Sequence, residues 1–375
     1  MRADSTGFLY LYDPPGSLSN LSDANRGGDP IYQAEALFFE RMRSDPLLRN
    51  RDIASARLYY VPTWSVRLLT NLAYRSNVFH LDRIIRELRH SSVEFNLTWS
   101  LNQSAHVFFF GGDKGACLLP RGPTYLTHWG LRTSWDHMLV PDQYRLPESH
   151  DTNIHHRACT LPTDVVVPPG IRFAPPADLG EDRSQPASWN CTLFFAGTLK
   201  RRVSSICKNA SGVQEPCYSQ GVRIRVFAEH ARRDGFCLHE HLPNDVHSKL
   251  MRSSRFCLAV NGEGFGIRLS QAMSAGCVPL IIQPRVAQPL DDVLPYHRFS
   301  ISIDHLADIP SLHQRLSRVS STEHAELRRQ VLRYAPAFSW AAEHGGMAYE
   351  WTRFSLCRRA GLPCEHLRPT STRPG

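Results

Sequence analysis

The stretch NGEGFGIRLSQAMSAGCVPLII, Asn261 to Ile282, sets three glycines at alternate positions, then an amphipathic run, a fourth glycine and an apolar strand. Before it stands RFCLAV (255–260), a continuous apolar run of the kind a parallel strand shows when both its faces are covered. Glycines at 262, 264 and 266 permit positive φ and let backbone amides approach a ligand closely. IRLSQAMSA (267–275) reads as a helix ended by Gly276 at the C′ position, and CVPLII (277–282) as the next strand. This is a βαβ unit whose loop lies at the carboxyl end of a strand, where open α/β sheets bind ligands. The unpaired N–H groups and the dipole of the helix start favour phosphate there. A dinucleotide site is disfavoured. The spacing is Gly262-x-Gly264-x-Gly266, not Gly-x-Gly-x-x-Gly, and the second strand runs into Gln283 where an acid is needed.

The same alternation extends outward on both sides. Strands are expected at 7–13, 56–62, 106–113, 124–130 and 164–170, and helices at 29–44 and at 66–90, the latter as one long helix or two. Residues 171–190, rich in proline and charge, read as a linker. The pattern resumes at CTLFFAG (191–197) and closes with helical segments at 309–320 and 321–338. Strands alternating with helices imply parallel, doubly wound sheets, one in each half. The expected division is a domain over 1–170, a linker over 171–190, a second domain over 191–345 and a C-terminal segment over 346–375. From Cys364 onward that segment is polar and proline-containing, and is expected to be disordered.

A chain of 375 residues exceeds one comfortable core, which agrees with two domains. Its net charge of +8 is spread over runs such as RIIRELRH (83–90) and VRIRV (222–226), which alternate with apolar positions. Dispersed charge of this kind argues against a nucleic-acid partner and is compatible with anionic small ligands. The sequence contains no paired Cys-x-x-Cys or His-Glu-x-x-His motif to support a zinc site, and no Gly-x-Ser-x-Gly elbow.

MRADSTGFLYLYDPP at the start lacks the apolar core of a signal peptide, which by itself predicts a cytosolic protein. Asn20, Asn96, Asn102, Asn190 and Asn209 nevertheless all stand in glycosylation acceptor patterns. The 10 cysteines include Cys207/Cys217 and Cys357/Cys364, spaced to close short disulfide loops, while Cys257 and Cys277 fall in strands and are expected as core residues. The balance predicts a lumenal catalytic region whose membrane anchor is not in this chain.

At this point the chain is identified as resembling the exostosin-like glycosyltransferases, glycosyltransferase family 47. SSRFCLAVNGEGFGIRLSQAMSAGCVPLIIQPRVAQPLDDVLPYHRFSISI (253–303) is similar to that family's C-terminal signature. YLYDPP (10–15), the segment from Tyr32 to Pro62, HVFFFGGDKGAC (106–117), DVVVPPG (164–170) and LFFAGTLKRR (193–202) resemble its other motifs in order. The resemblance implies a GT-B architecture, two facing Rossmann-like domains with parallel sheets and a cleft between them. It implies an inverting, metal-independent transferase in the Golgi, on the lumenal side of the membrane. Such an enzyme moves a sugar from a nucleotide-sugar donor, commonly UDP-linked, to a glycan or polysaccharide acceptor, with no cofactor beyond its substrates and with other transferases as partners in a complex.

The motif matches place Gly262, Glu263, Gly264, Arg268 and Gln271 at the donor, with Arg268 at the diphosphate and Gln271 at the ribose hydroxyls. Gln271 departs from the family's glutamate; it still donates and accepts hydrogen bonds but lacks the charge. Arg201 and Arg202, with Lys200, follow LFFAG and could meet the same diphosphate, one of them contributing. The general base is expected from the N-terminal half. Asp113 is the first candidate because it tops a buried strand beside two glycines, and His128 is the second. Trp129, Tyr125 and Trp135 are candidates for stacking on acceptor sugars. The competing expectation is a silent homologue that binds glycan or supports a partner transferase, for which Gln271 is the main argument. An epimerase of the same shape and a nucleic-acid-binding protein stand further back.

Overall fold

The computed structural model describes residues 7–14, 29–64, 74–113, 115–117, 119–132, 159–171, 189–199, 206–208, 214–216, 218–262 and 264–370. Glu263, Arg201, Arg202, Lys200, Trp135, Cys217 and most of the expected linker lie outside the described residues.

Strands β1 (Leu9–Leu11), β2 (Arg49–Asn50), β3 (Leu58–Val61), β4 (His106–Phe110), β5 (Thr124–Thr127) and β6 (Val165–Val166) form a first sheet in the order β2-β1-β3-β4-β5-β6. Every neighbouring pair is parallel. All five residues of β4 are buried, because a central parallel strand meets side chains on both faces. Helices α1 (Ala34–Met42), α2 (Tyr74–Ser91) and α3 (Val93–Leu101) belong to this half. From α1, Phe38 packs among Tyr60, Phe109 and Tyr349, and burying a side chain of that size contributes roughly 2–3 kcal/mol.

The second sheet is built from β7 (Cys191–Ala196), β10 (Phe236–His239), β11 (Ser254–Ala259), β12 (Val278–Ile281) and β13 (Ile301–Ser302), with a small antiparallel ribbon of β8 (Ile206–Lys208) and β9 (Gln214–Pro216) set apart. Its order is β10-β7-β11-β12-β13, again entirely parallel. Helices α4 (Val222–His230), α5 (Asn244–Arg252), α6 (Arg268–Ala275), α7 (Leu312–Ser317) and α8 (Ser321–Tyr334) complete it. The chain leaves β7 for β10 on one side, then returns through β11 on the other. The topological switch point therefore falls between β7 and β11, where such sheets open a ligand crevice.

The halves meet at their loops. Leu131 bridges Val286, Ala287 N–H donates to Gly130 O, Leu290 N–H to Val166 O, and the Trp340 indole to Pro168 O. Two parallel sheets facing one another across a cleft form the GT-B arrangement expected from the sequence.

One expectation changes and one is refined. Residues 364–370 are ordered, because Cys364 is tied to Cys357 and Leu367 is buried. Ahead of them α9 (Ala348–Arg359) returns to the first half, where Arg353 and Tyr349 both bind Asp45 and Arg41 pairs with Glu350. Cys257 and Cys277 are buried core residues as expected and are also joined by a disulfide, since the β11–β12 register sets them side by side. Disulfides also join Cys117 to Cys159 and Cys191 to Cys237, while Cys357–Cys364 closes the short loop that its spacing predicted.

Candidate active site

A cleft of about 420 Å³ opens at the switch point of the second sheet and is closed on its far side by the first half. Asp113, Gly262, Arg268 and Gln271 from the sequence reading all line it, together with Gly266, Phe265 and Ile31. Arg268 is the first residue of α6, so it leaves the helix start beside N–H groups that have no intrahelical partner. Its guanidinium donates to Gln271 Oε1 and lies near Phe195. The expectation that Gln271 serves a ribose is thereby narrowed. Its oxygen already accepts from Arg268, so one acceptor position and the amide N–H groups remain for a ligand.

The glycines work differently from the expectation. Neither Gly262, Gly264 nor Gly266 has positive φ; among the four, only Gly276 does, at φ 67° where it ends α6. Gly264 and Gly266 are required by close approach instead. A Cβ on Gly264 would lie 1.6 Å from Asp113 O, and one on Gly266 would lie 2.7 Å from Val260 O. The amide of Phe265 is likewise spent on Asp113 O at 3.1 Å. The glycine loop thus docks the second half onto the first, and the amides that open towards the cleft are those at the start of α6.

A second arginine, which sequence reading had taken as part of a dispersed basic run, completes the site. Arg223, in the first turn of α4, is buried and donates to Thr198 O, Tyr218 OH and Asn261 O, each at 2.9 Å. Helices α4 and α6 follow β7 and β11, the two strands of the switch point, so both arginines converge there. Burial first, and then the like charge of Arg223, lower the Arg268 pKa to about 10, with Tyr218 opposing both. Burial lowers the Arg223 pKa as well. Among the described residues neither forms an ion pair, and the Nε atoms of both are buried without a partner. Two buried like charges without a counter-ion are costly unless an anion is to be bound. Tyr218, Glu240, His241, Asn244 and His247 also line the cleft and were not singled out in the sequence. His247 leans on Phe194, and burial followed by the Arg268 charge pushes its pKa down.

From the first half, Asp113 stands just beyond β4, and Tyr32 OH donates to its Oδ1 at 2.8 Å. His128 does not reach the cleft. It is buried behind Phe265, its Nδ1 bonds Val167 O at 3.0 Å, and burial lowers its pKa to about 4. Trp129 and Tyr125 are buried too and sit in packed clusters. Arg201, Arg202 and Glu263 lie outside the described residues.

The model of the Exostosin GT47 domain matches residues 8–319. The chain belongs to the exostosin GT47 family. Among curated relatives, a probable glycosyltransferase of Arabidopsis thaliana is 24% identical over 81% of this chain and 52% of its own length. A probable glucuronoxylan glucuronosyltransferase of the same plant is 25% identical over 89% of this chain and 68% of its own. A probable glucuronosyltransferase of Oryza sativa is 24% identical over 91% and 76%. This GT47 chain spans about half the length of the first of them. A solved glycosyltransferase of avilamycin A biosynthesis aligns over 92% of this chain and 97% of that one, at 13% identity and a TM-score of 0.34, a likeness too slight to argue from.

Proposed function

We propose that this GT47 chain transfers a sugar with inversion from a nucleotide-sugar donor, UDP-linked, to a glycan acceptor in the secretory pathway. The observation that carries the proposal is the buried Arg223–Arg268 pair at the switch point, two cations without a carboxylate partner among the described residues. A diphosphate supplies the missing charge. In the reaction an acceptor hydroxyl attacks the anomeric carbon from the face opposite the nucleotide. The new C–O bond forms as the bond to the diphosphate breaks, and the nucleoside diphosphate leaves with the electron pair. Arg268, Arg223 and the α6 amides stabilise its growing charge. The hydroxyl proton passes to Asp113, held in place by Tyr32, and general base catalysis of this kind is worth about 10²–10⁴ in rate. Charge compensation by arginines makes metal independence part of the proposal. The disulfides support a lumenal setting.

Because relatives are named as probable glucuronosyltransferases, one of glucuronoxylan, UDP-glucuronate with a xylan oligosaccharide is the first pair to try. Incubation with a panel of UDP-sugars, followed by NMR of the product's anomeric configuration, tests the proposal. An inverted linkage formed in the presence of chelator is expected, and loss of turnover in Asp113→Asn with donor binding kept. Saturable donor binding with no transfer to any acceptor would instead favour the silent homologue.

A further inference from the structure

Helix α3 is capped by Ser92, whose hydroxyl accepts from Phe95 N–H, and it is held down by Phe95 and Trp99. Those two rings stack on each other and against His106. The opposite face carries Val93, Leu97 and Leu101, spaced four residues apart along one stripe. They are 82%, 59% and 76% exposed, the three most exposed large apolar side chains among the described residues. A contiguous apolar stripe on a soluble surface calls for a cover.

One acceptor motif, Asn96-Leu97-Thr98, lies within this helix, and a second, Asn102-Gln103-Ser104, starts at the residue that caps its end. Both asparagines are exposed. Asn96 Oδ1 accepts from Arg89 Nε at 2.9 Å, and Asn102 Oδ1 accepts from Ser104 N–H and its hydroxyl. In each case the oxygen is tied to the protein, while the amide nitrogen, the atom that would carry a sugar, has no partner among the described residues. Asn190 is the contrast: its amide nitrogen donates to Ser253 Oγ at 2.8 Å, and its neighbour Cys191 is locked in a disulfide. The four described disulfides indicate folding where such modification occurs.

We infer that Asn96 and Asn102 carry N-linked glycans, and that these glycans cover the Val93–Leu97–Leu101 stripe. In the attachment step the amide nitrogen bonds to the first sugar of an oligosaccharide carried on a lipid diphosphate. The sugar–phosphate bond breaks, the lipid diphosphate departs with the electron pair, and the amide proton goes to the host transferase. One stem leaves the helix beside Val93 and Leu97, and the other just past Leu101, so a chain on each flanks the stripe. The inference shares with the proposed function only its secretory setting.

The test is to direct the full chain through the secretory pathway of eukaryotic cells and map its asparagines by enzymatic deglycosylation in heavy-oxygen water and mass spectrometry. Labelled aspartate at both 96 and 102 is expected. Unmodified asparagine at both, in secreted protein with its disulfides formed, overturns the inference. Deglycosylating the folded protein should then expose the stripe, read as gained binding of an apolar dye and a shift from monomer to larger species, both reversed by Leu97→Ser. No gain in dye binding and no shift would overturn the covering role. A UDP titration on the same preparation reports the donor site separately, so failure of the glycan reading and failure of the transferase reading are told apart.

Discussion

The two halves share a winding pattern and differ in what they place at its switch point. In the first sheet the chain steps from β1 to β2 and returns through β3, as β7, β10 and β11 do in the second. The residues following β1 and β3, Tyr12 to Pro14 and Pro62 to Trp64, include no cation. Tyr12 bonds Thr98, Thr63 donates to Glu35 and to Phe109 O, and Trp64 is packed against Phe39. Among the described residues, that crevice is lined by packed side chains. The second crevice holds two arginines, two helix starts and open volume. One topology therefore gives a packed support in one half and an open crevice with two buried arginines in the other. The chemistry lies in the first turns of α4 and α6.

Acid should have the largest effect, and the first half carries its best-defined part. Burial lowers the pKa of His106 and of His128 in the first half from 6.5 to about 4. Below pH 6.5 the unfolded chain binds protons that the folded chain refuses, so stability is complete above that pH and falls as pH drops towards 4. Each histidine costs about 3 kcal/mol over that window. Asp164, raised by burial to about 6, acts in the opposite sense and offsets about one of them. Urea unfolding at pH 7.5 and pH 4.5 should therefore show lower stability in acid, to which these three groups contribute about 3 kcal/mol net and the half-buried His247 and buried His324 of the second half add in the same sense.

Arg223→Ala should follow, because Arg223 serves both structure and ligand. Loss of its bonds to Thr198 O and Asn261 O is expected to lower stability by about 1–3 kcal/mol, and UDP affinity by about tenfold or more, as read by thermal unfolding and calorimetry. Gly264→Ala drives a methyl group into Asp113 O, so the halves must part. A stability loss of about 1–3 kcal/mol is expected, together with loss of turnover. The smallest effect belongs to the packed crevice. Thr63→Val removes a donor from buried Glu35 and should cost about 1–2 kcal/mol while leaving the UDP dissociation constant unchanged. A change in UDP binding there would break the contrast between the halves.

Much of this was legible in the sequence where local pattern decides. RFCLAV, the glycine loop and Gly276 announced a βαβ unit, and HVFFFGGD pointed to Asp113 at the end of a buried strand. The purpose of Gly264 was not legible, since the carbonyl it must clear lies 151 positions away in sequence, from 113 to 264. Arg223 was hidden because a long segment separates β7 from α4, and the nearer Lys200–Arg202 drew attention instead. Helix α9 carried no amphipathic period, because its buried residues, Tyr349, Trp351, Phe354 and Leu356 among them, face several directions. The Cys257–Cys277 bond needed the strand register, which sequence spacing does not give.

The most direct test of the central claim is a calorimetric titration of the parent protein and Arg268→Ala with UDP and with uridine. The account predicts saturable UDP binding by the parent, far weaker uridine binding, and a loss of UDP affinity of about 10–100-fold in Arg268→Ala with its melting temperature held or raised. Equal affinity of the parent for UDP and uridine, or UDP binding untouched in Arg268→Ala, would contradict it.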